Sequence, residues 1–275
     1  MEIGKKIQQR RKELHMTQEK LAEAVFVTPQ AVSLWETGKS TPDLFNIARI
    51  ASALQMNRKD LLSEEETLPT WVMRDSFYSL ENMRRKLKQF AEEEHLAEMD
   101  KAIDYASEKH QAQFRKKMIF TDERIPYIVH PFMMACHAHA LGIRDDAVLA
   151  SVLLHDVCED CGVLPEDLPF SEDVKDTVRR LTKTGLSTEE YYRHIAESPS
   201  ASIVKALDRC NNLSTMMSSF REEKAFGYIE ETERYVIPLI DHIKKEYTQY
   251  YDAVFVIKYQ ILSLMETIKA CYLQF

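Results

Sequence analysis

Along this chain, apolar residues recur every three or four positions, and sustained alternation of apolar and polar residues is scarce, so the pattern predicts helices throughout. Ile3, Ile7 and Leu14 fall on one stripe of a first helix over 3–15. Thr17 stands at an N-cap position with Lys20 where a capping box would need Glu, and Leu21, Ala22 and Val25 form the inner side of a second short helix. Thr28 caps a third. Pro29 sits at its first helical position, where a missing N–H costs nothing, Val32 and Trp35 face inward, and Gly38 ends it. Pro42 opens a fourth, whose buried side is Leu44, Ile47, Ala48, Ile50 and Leu54. The run Ser63-Glu64-Glu65-Glu66-Thr67-Leu68-Pro69-Thr70 is acidic and ends near a proline, which marks a domain boundary. From Phe77 to His95 a charged helical pattern carries Leu80, Met83, Leu87 and Phe90 on one side, expected to pack on its own domain rather than to act as a spacer. Tyr247, Tyr250, Tyr251, Phe255, Val256, Ile257 and Leu262 make a C-terminal apolar helix suited to core or dimer surface. The expectation is an all-α chain with a small domain over 1–62, a linker over 63–75 and a larger helical domain over 76–275.

Composition narrows this further. At about 150 residues per domain, 275 residues suit two domains, and six glycines with nine prolines disfavour a loop-rich β architecture. Five cysteines, at 136, 158, 161, 210 and 271, have no regular disulfide spacing, as expected in a reducing cytoplasm. No apolar segment follows Met1 to act as a secretory signal. The longest stretch free of Asp, Glu, Lys and Arg, from Ile125 to Ile143, contains three histidines and two prolines and is a poor membrane span, so a cytoplasmic protein with no membrane partner is expected. Charge is uneven: residues 1–62 hold ten Lys/Arg and seven Asp/Glu, a net +3, whereas the whole chain carries −8, leaving −11 on 63–275. A mildly basic head on an acidic body fits a polyanion bound at the head.

Two short helices joined by a tight turn, the second preceded by a capping residue, have the shape a DNA major groove admits. The words Thr17-Gln18-Glu19-Lys20-Leu21-Ala22 and Thr28-Pro29-Gln30-Ala31-Val32-Ser33-Leu34-Trp35-Glu36-Thr37-Gly38-Lys39-Ser40, followed by Pro42, resemble the Cro/lambda-repressor-type helix-turn-helix family over residues 2–62. The resemblance implies a five-helix unit that binds double-stranded DNA, expected as a homodimer on a two-fold site. It puts Gln18, Thr28, Gln30, Ser33 and Lys39 on the DNA side, with Gln30 reading a base edge and Gln18, Thr28 and Lys39 holding phosphates. It also pairs Arg11 with Glu36 as a structural salt bridge. Pro29 and Leu34 stand where polar readers are frequent in the family, which argues for modest base specificity.

The chemistry of the larger domain lies around its histidines. The apolar run Ala147 to Leu154 predicts a buried helix that ends in adjacent His155 and Asp156, with adjacent Glu159 and Asp160 one turn later. At 3.6 residues per turn, His155 would share a face with Glu159, and Asp156 with Asp160. Four ionisable groups at the end of a buried helix are costly without a cation, and imidazole with carboxylate suits Mn²⁺, Fe²⁺ or Zn²⁺. Cys158 and Cys161 form a lone C-x-x-C with no second pair to complete a zinc site. His137 and His139 lie two apart, on different faces, and read as ordinary core or surface histidines; Tyr191 and Tyr192 are candidates for a purine contact.

The order His130, His155-Asp156, Asp208 resembles the HD phosphohydrolase superfamily. Arg115-Lys116, Pro126-Tyr127-Ile128-Val129-His130-Pro131, Leu153-Leu154-His155-Asp156-Val157-Cys158-Glu159-Asp160 and Lys205-Ala206-Leu207-Asp208-Arg209 are similar to the hydrolase domain of Rel/SpoT-type alarmone enzymes, over about 98–245. The resemblance implies that His130, His155, Asp156 and Asp208 hold one metal, Mn²⁺ in the family, and that Glu159 and Asp160 position and deprotonate a water. It implies that Arg115, Lys116, Lys205, Asn212 and Thr215 bind the nucleotide, and that the reaction removes the 3′-pyrophosphate of ppGpp or pppGpp. The chain departs from the family in three places. The segment Lys117 to Arg124 lengthens the usual spacing, the family's Asp-Arg-x-His-Asn becomes Asp208-Arg209-Cys210-Asn211-Asn212, and Cys161 stands where Thr is usual. Two other readings stay open at this point: a transcriptional regulator whose HD domain senses a nucleotide without turnover, and a hydrolase of a different phosphorylated nucleotide.

Overall fold

The computed structural model describes residues 3–42, 44–56, 61, 79–115, 125–216 and 222–273. The chain divides into two compact units, Met1–Thr70 and Trp71–Phe275. Among the described residues there is no strand, only an isolated antiparallel bridge between Phe114 and Pro126. No helix among them is long and apolar enough to cross a membrane.

The first unit contains α1 (Ile3–Glu13), α2 (Gln18–Ala24), α3 (Pro29–Glu36) and α4 (Leu44–Ala53). Its punctuation follows local chemistry. The Thr17 hydroxyl accepts from Lys20 N, and the Thr28 hydroxyl accepts from Ala31 N with Pro29 in the first turn. Gly38 adopts a φ of 71° just past α3, a conformation that side-chain-bearing residues resist. Ile7, Leu21, Val25, Val32, Ile50 and Leu54 are completely buried in one core, with Trp35 at its edge. α1 approaches α3 so closely that a Cβ on Gly4 would lie 1.9 Å from the Trp35 carbonyl oxygen. The fourth helix begins at Leu44, two residues after the expected Pro42, and of the expected fifth helix only Leu61 lies within the described residues.

The second unit is a larger helical body. It comprises α5 (Leu80–Glu93), α6 (Ala97–Lys109), α7 (Val129–Ala140), α8 (Asp146–Leu154), α9 (Val157–Cys161), α10 (Glu172–Leu181), α11 (Thr188–Ala196), α12 (Pro199–Met216), α13 (Glu222–Glu231), α14 (Ile237–Glu246) and α15 (Tyr251–Leu273), with a π-turn at Thr232–Val236 between α13 and α14. α8 is apolar on all sides, and seven of its nine residues, Val148 to Leu154, are buried; α6, α7, α10 and α12 pack around it. α5 buries Met83, Leu87 and Ala91 in this same core, so the charged segment after the boundary packs on its own unit, as its stripe predicts.

One expectation fails in a way that matters for the site. The apolar helix does not run on through Glu159: α8 ends at Leu154, and a break at His155 and Asp156 separates it from the short α9. The helical-face argument that pairs His155 with Glu159 therefore does not hold. His155 is buried and Glu159 exposed. Asp156 and Asp160 remain one turn apart, with Asp160 N donating to Asp156 O at 2.8 Å.

Candidate functional site

Three elements bring the predicted ligands together. His130 lies in the first turn of α7, His155 and Asp156 occupy the break after α8, and Asp208 lies in the middle of α12. His130 Nε2 is 3.3 Å from Asp208 Oδ1 and 3.9 Å from Asp156 Oδ2; His155 Nε2 is 2.8 Å from Asp156 Oδ2 and 3.8 Å from Asp208 Oδ1. Ligand atoms of His130, His155 and Asp208 all fall within 4.8 Å of one another, and all three residues are buried.

The donor set fits a divalent cation on the evidence of its hydrogen bonds. His155 Nδ1 lies 2.9 Å from the Val152 carbonyl oxygen, which can only accept, so Nδ1 carries a proton and Nε2 is the nitrogen left to face the carboxylates. His130 Nδ1 lies 2.6 Å from Asn211 Oδ1, which makes the same assignment for that ring. His155 Nε2 is buried and lies 2.8 Å from Asp156 Oδ2, facing the centre that the carboxylates share. Electrostatics agree. Burial alone would lower His155, but Asp156 and Asp208 outweigh it and push the imidazole up to about 9, so the carboxylates favour a positive charge at Nε2, a proton or a cation in its place. Burial likewise works against the charged form of Asp208, and Lys205 with the two imidazoles overcomes it and holds the carboxyl well below its ordinary range.

Around the four groups lies a polar collar. The Tyr127 hydroxyl donates to Asp156 Oδ2, fixed in place because Tyr127 N donates to Gln113 O at 2.9 Å and Arg115 N to Ile125 O at 2.9 Å, either side of the Phe114–Pro126 bridge. That pairing also orients Arg115, whose Nη2 donates to Asn212 Oδ1 at 3.1 Å and to Thr215 Oγ1 at 3.2 Å. Asn212 Nδ2 in turn donates to Asp208 Oδ1 at 2.5 Å, and Lys205 Nζ to Asp208 Oδ2 at 3.1 Å. Lys205, Asp208, Asn212 and Thr215 thus share one face of α12, and Arg115 reaches that face from a separate segment. Glu159 and Asp160 lie on α9 at the rim, both exposed; Glu159 Oε2 accepts from Lys183 N at 3.4 Å, and burial together with Asp156 pushes the Asp160 carboxyl up. Lys116 and the Lys117–Arg124 segment lie outside the described residues.

Some side chains take other parts. Tyr191 and Tyr192 are buried and spend their hydroxyls on Leu181 O and Glu231 Oε1, which leaves the Tyr191 ring beneath Lys205 Nζ at 5.5 Å rather than in an open purine slot. Cys158 and Cys161 are free thiols on α9, pushed up from their ordinary values by burial. Residue-level reading passed over Tyr127 and Asn211. Both sit on signals already present: Tyr127 is three residues before His130, and Asn211 follows Asp208 by three on a helix.

On the helix-turn-helix unit, Thr28, Gln30 and Lys39 are exposed, and Gln18 and Ser33 half-buried. Arg11 Nε donates to Glu36 Oε1 at 2.6 Å and Nη2 to Oε2 at 2.9 Å, the bidentate pair expected between them. Gln18 Nε2 donates to Glu36 Oε2 at 2.7 Å, and the Thr28 hydroxyl accepts at the N-cap, so both belong to the frame of the α2–α3 turn as well as to its outer side.

Comparison with known proteins follows this division. Residues 7–61 match the helix-turn-helix family model. The guanosine-3′,5′-bis(diphosphate) 3′-pyrophosphohydrolase of Aquifex aeolicus is 35% identical over 157 residues, covering 53% of this chain and 21% of that protein. The enzyme MESH1 of the same name from Mus musculus is 35% identical over 126 residues, 42% of this chain and 68% of the relative. The chain therefore spans about a fifth of the length of the Aquifex protein. A solved structure of a metazoan ortholog of SpoT that hydrolyzes ppGpp aligns with a TM-score of 0.50 at 24% identity, over 62% of this chain and 95% of that one, a likeness of fold. With two thirds of the mouse enzyme spanned at this identity, the chain belongs to the family of guanosine-3′,5′-bis(diphosphate) 3′-pyrophosphohydrolases and carries a helix-turn-helix unit in addition.

Proposed function

We propose that this chain hydrolyses the 3′-pyrophosphate of ppGpp or pppGpp with one bound divalent cation, Mn²⁺ by resemblance, and that its helix-turn-helix unit binds double-stranded DNA as a homodimer. The observation that carries the hydrolytic reading is the grouping of His130, His155 and Asp208 within 4.8 Å, from α7, the α8–α9 break and α12, with Asp156 Oδ2 within 3.9 Å of both imidazole Nε2 atoms. Bound there by His130, His155, Asp156 and Asp208, the cation would supply Lewis acidity and lower the pKa of a coordinated water.

The chain's own groups do the rest. Asp160, whose carboxyl burial and Asp156 push up, takes the water's proton, with Glu159 beside it to orient that water. The water oxygen adds to the phosphorus attached to O3′, the O3′–P bond breaks, and O3′ takes up a proton. The products are GDP or GTP and pyrophosphate. Lys205 offsets charge on the pyrophosphoryl group under attack. Arg115, held by Asn212 and Thr215, together with Lys116, holds the nucleotide. The exposed Gln30 and Lys39 on the outer side of the unit, and its net positive charge, support DNA contact.

Purified protein with ppGpp and Mn²⁺ is expected to release GDP, and a panel of 3′- and 5′-phosphorylated nucleotides run with metal quantified tests the substrate. Nucleotide binding without turnover of any member would replace the enzyme with a sensor. Gel shifts against the gene's own upstream DNA are expected to show a complex that weakens steeply with salt. No shift at low salt would remove the DNA reading.

A further inference from the structure

The two imidazoles at the centre are aimed by different kinds of acceptor. His155 Nδ1 donates to a main-chain carbonyl, Val152 O, which every substitution at that position retains. His130 Nδ1 is aimed by a side chain alone, the amide oxygen of Asn211 at 2.6 Å. Asn211 is 6% exposed and lies three residues along α12 from Asp208, in the place where the resemblance expects His. It also lines a cavity of about 540 Å³ shared with Met83, His137, Gln260 and Leu264.

The geometry points to Asn211 as a positioning residue that fixes the tautomer of His130 and so keeps the Nε2 lone pair available to a divalent cation. The alternative it prevents is specific. His130 Nε2 lies 3.3 Å from Asp208 Oδ1. If nothing accepted from Nδ1, the ring proton would move to Nε2 and donate to that carboxylate, tying up two ligands in one hydrogen bond. Second partners of metal-binding histidines change affinity by about 10–100-fold when removed. This inference rests on the metal reading above, and the experiments separate the two.

The test uses the full chain, with Asn211→Ala, Asn211→Asp and Asn211→Leu. In the metal-free protein, long-range ¹H–¹⁵N spectra report the tautomer of His130, assigned by the loss of its signal in His130→Gln. Mn²⁺ affinity is measured by titration followed by EPR of the free ion. The wild type and Asn211→Asp, which can only accept at this site, are expected to hold the Nδ1–H form. Asn211→Ala is expected to shift to Nε2–H and to lose about 10–100-fold in Mn²⁺ affinity, and Asn211→Asp to bind within about threefold of wild type or tighter, as an acceptor-only role for Asn211 requires. Asn211→Leu supplies the same reading, keeping the branched outline of asparagine without an acceptor, should the alanine variant not fold. An unchanged tautomer in Asn211→Ala or Asn211→Leu overturns the proposal, as does an Asn211→Asp variant as weak as alanine. A wild type that binds no Mn²⁺ overturns the metal reading instead, while the spectra of the metal-free protein still decide the role of Asn211.

Discussion

Lys205→Met gives the sharpest test of the site, because it should move two observables in opposite directions. Lys205 Nζ lies 3.1 Å from Asp208 Oδ2, and the side chains are only 17% and 10% exposed. At an effective dielectric of about 20, the gross Coulombic attraction at that distance is about 5 kcal/mol. Both charges are largely out of water, so deleting one leaves the other uncompensated; breaking such a pair costs about 3–5 kcal/mol when burial is complete. Residual exposure favours the lower end, about 3 kcal/mol, since methionine fills the space of the lysine stem. For a unit of about 200 residues this corresponds to a melting point about 6–12 °C lower in the metal-free protein. Asp208, freed from its lysine, is then a stronger ligand. If a quarter of the lost attraction passes to the cation, Mn²⁺ binds about tenfold more tightly, and Mn²⁺ restores part of the melting point. The nucleotide should behave in the opposite sense, with a higher KM, because a positive charge near its phosphates is gone. Calorimetric melting with and without Mn²⁺, and steady-state kinetics, read both effects. An unchanged metal-free melting point, or Mn²⁺ binding weakened by the substitution, would show that Lys205 and Asp208 do not form the pair described.

Further expectations cover the rest of the molecule. Glu36→Gln leaves the buried Arg11 guanidinium without its anion and should destabilise the helix-turn-helix unit by about 3–5 kcal/mol, read by urea unfolding. Burial raises Glu36, but Arg11 and Gln18 outweigh it and hold the carboxyl below its ordinary 4.5. Its contribution is therefore fully present above about pH 4.5 and drains away as pH falls through the lowered folded value, so the gap between wild type and Glu36→Gln should close in acid; a gap that is constant down to pH 3 contradicts this. Arg115→Ala should raise KM for the nucleotide by tenfold or more and leave Mn²⁺ affinity within about threefold, since its side chain bonds to Asn212 and Thr215 and not to a ligand atom; a matching loss of metal would relocate Arg115 to the metal centre. Gln30→Ala should weaken the DNA complex and relax its preference for one base pair by about 1–3 kcal/mol without touching hydrolysis, checked by competition gel shifts.

The helices were legible because their caps and stripes were local. Thr17, Thr28, Pro29 and Gly38 each act within four residues of themselves, and each stands where the pattern of apolar positions predicts. The Leu80–Glu93 stripe announced its own burial in the same way. The convergence of His130, His155, Asp156 and Asp208 came from resemblance, since spacing alone cannot bring α7 to α12. The break at His155 and Asp156 escaped the reading because no Gly or Pro marks it. Tyr127 and Asn211 were missed for a related reason. Their roles depend on a partner 29 or 81 residues away, which periodicity on one helix cannot reveal.

Lys205, Asp208, Asn211, Asn212 and Thr215 are all carried by α12, which is tied down on its far side by Arg209, a fully buried guanidinium bonded to Tyr192, Glu231 and Thr232. On the roles proposed above, ion ligand, tautomer setter and nucleotide anchors would translate as one rod, and small displacements of that rod would be felt by every one of them at once. Occupancy at its two ends is then thermodynamically linked: a nucleotide that settles the Asn212–Thr215 end improves cation retention at Asp208 by some factor, and the cation returns that same factor to the nucleotide. Order of addition should leave the final complex unchanged, while each component added alone should bind more weakly than in the presence of the other.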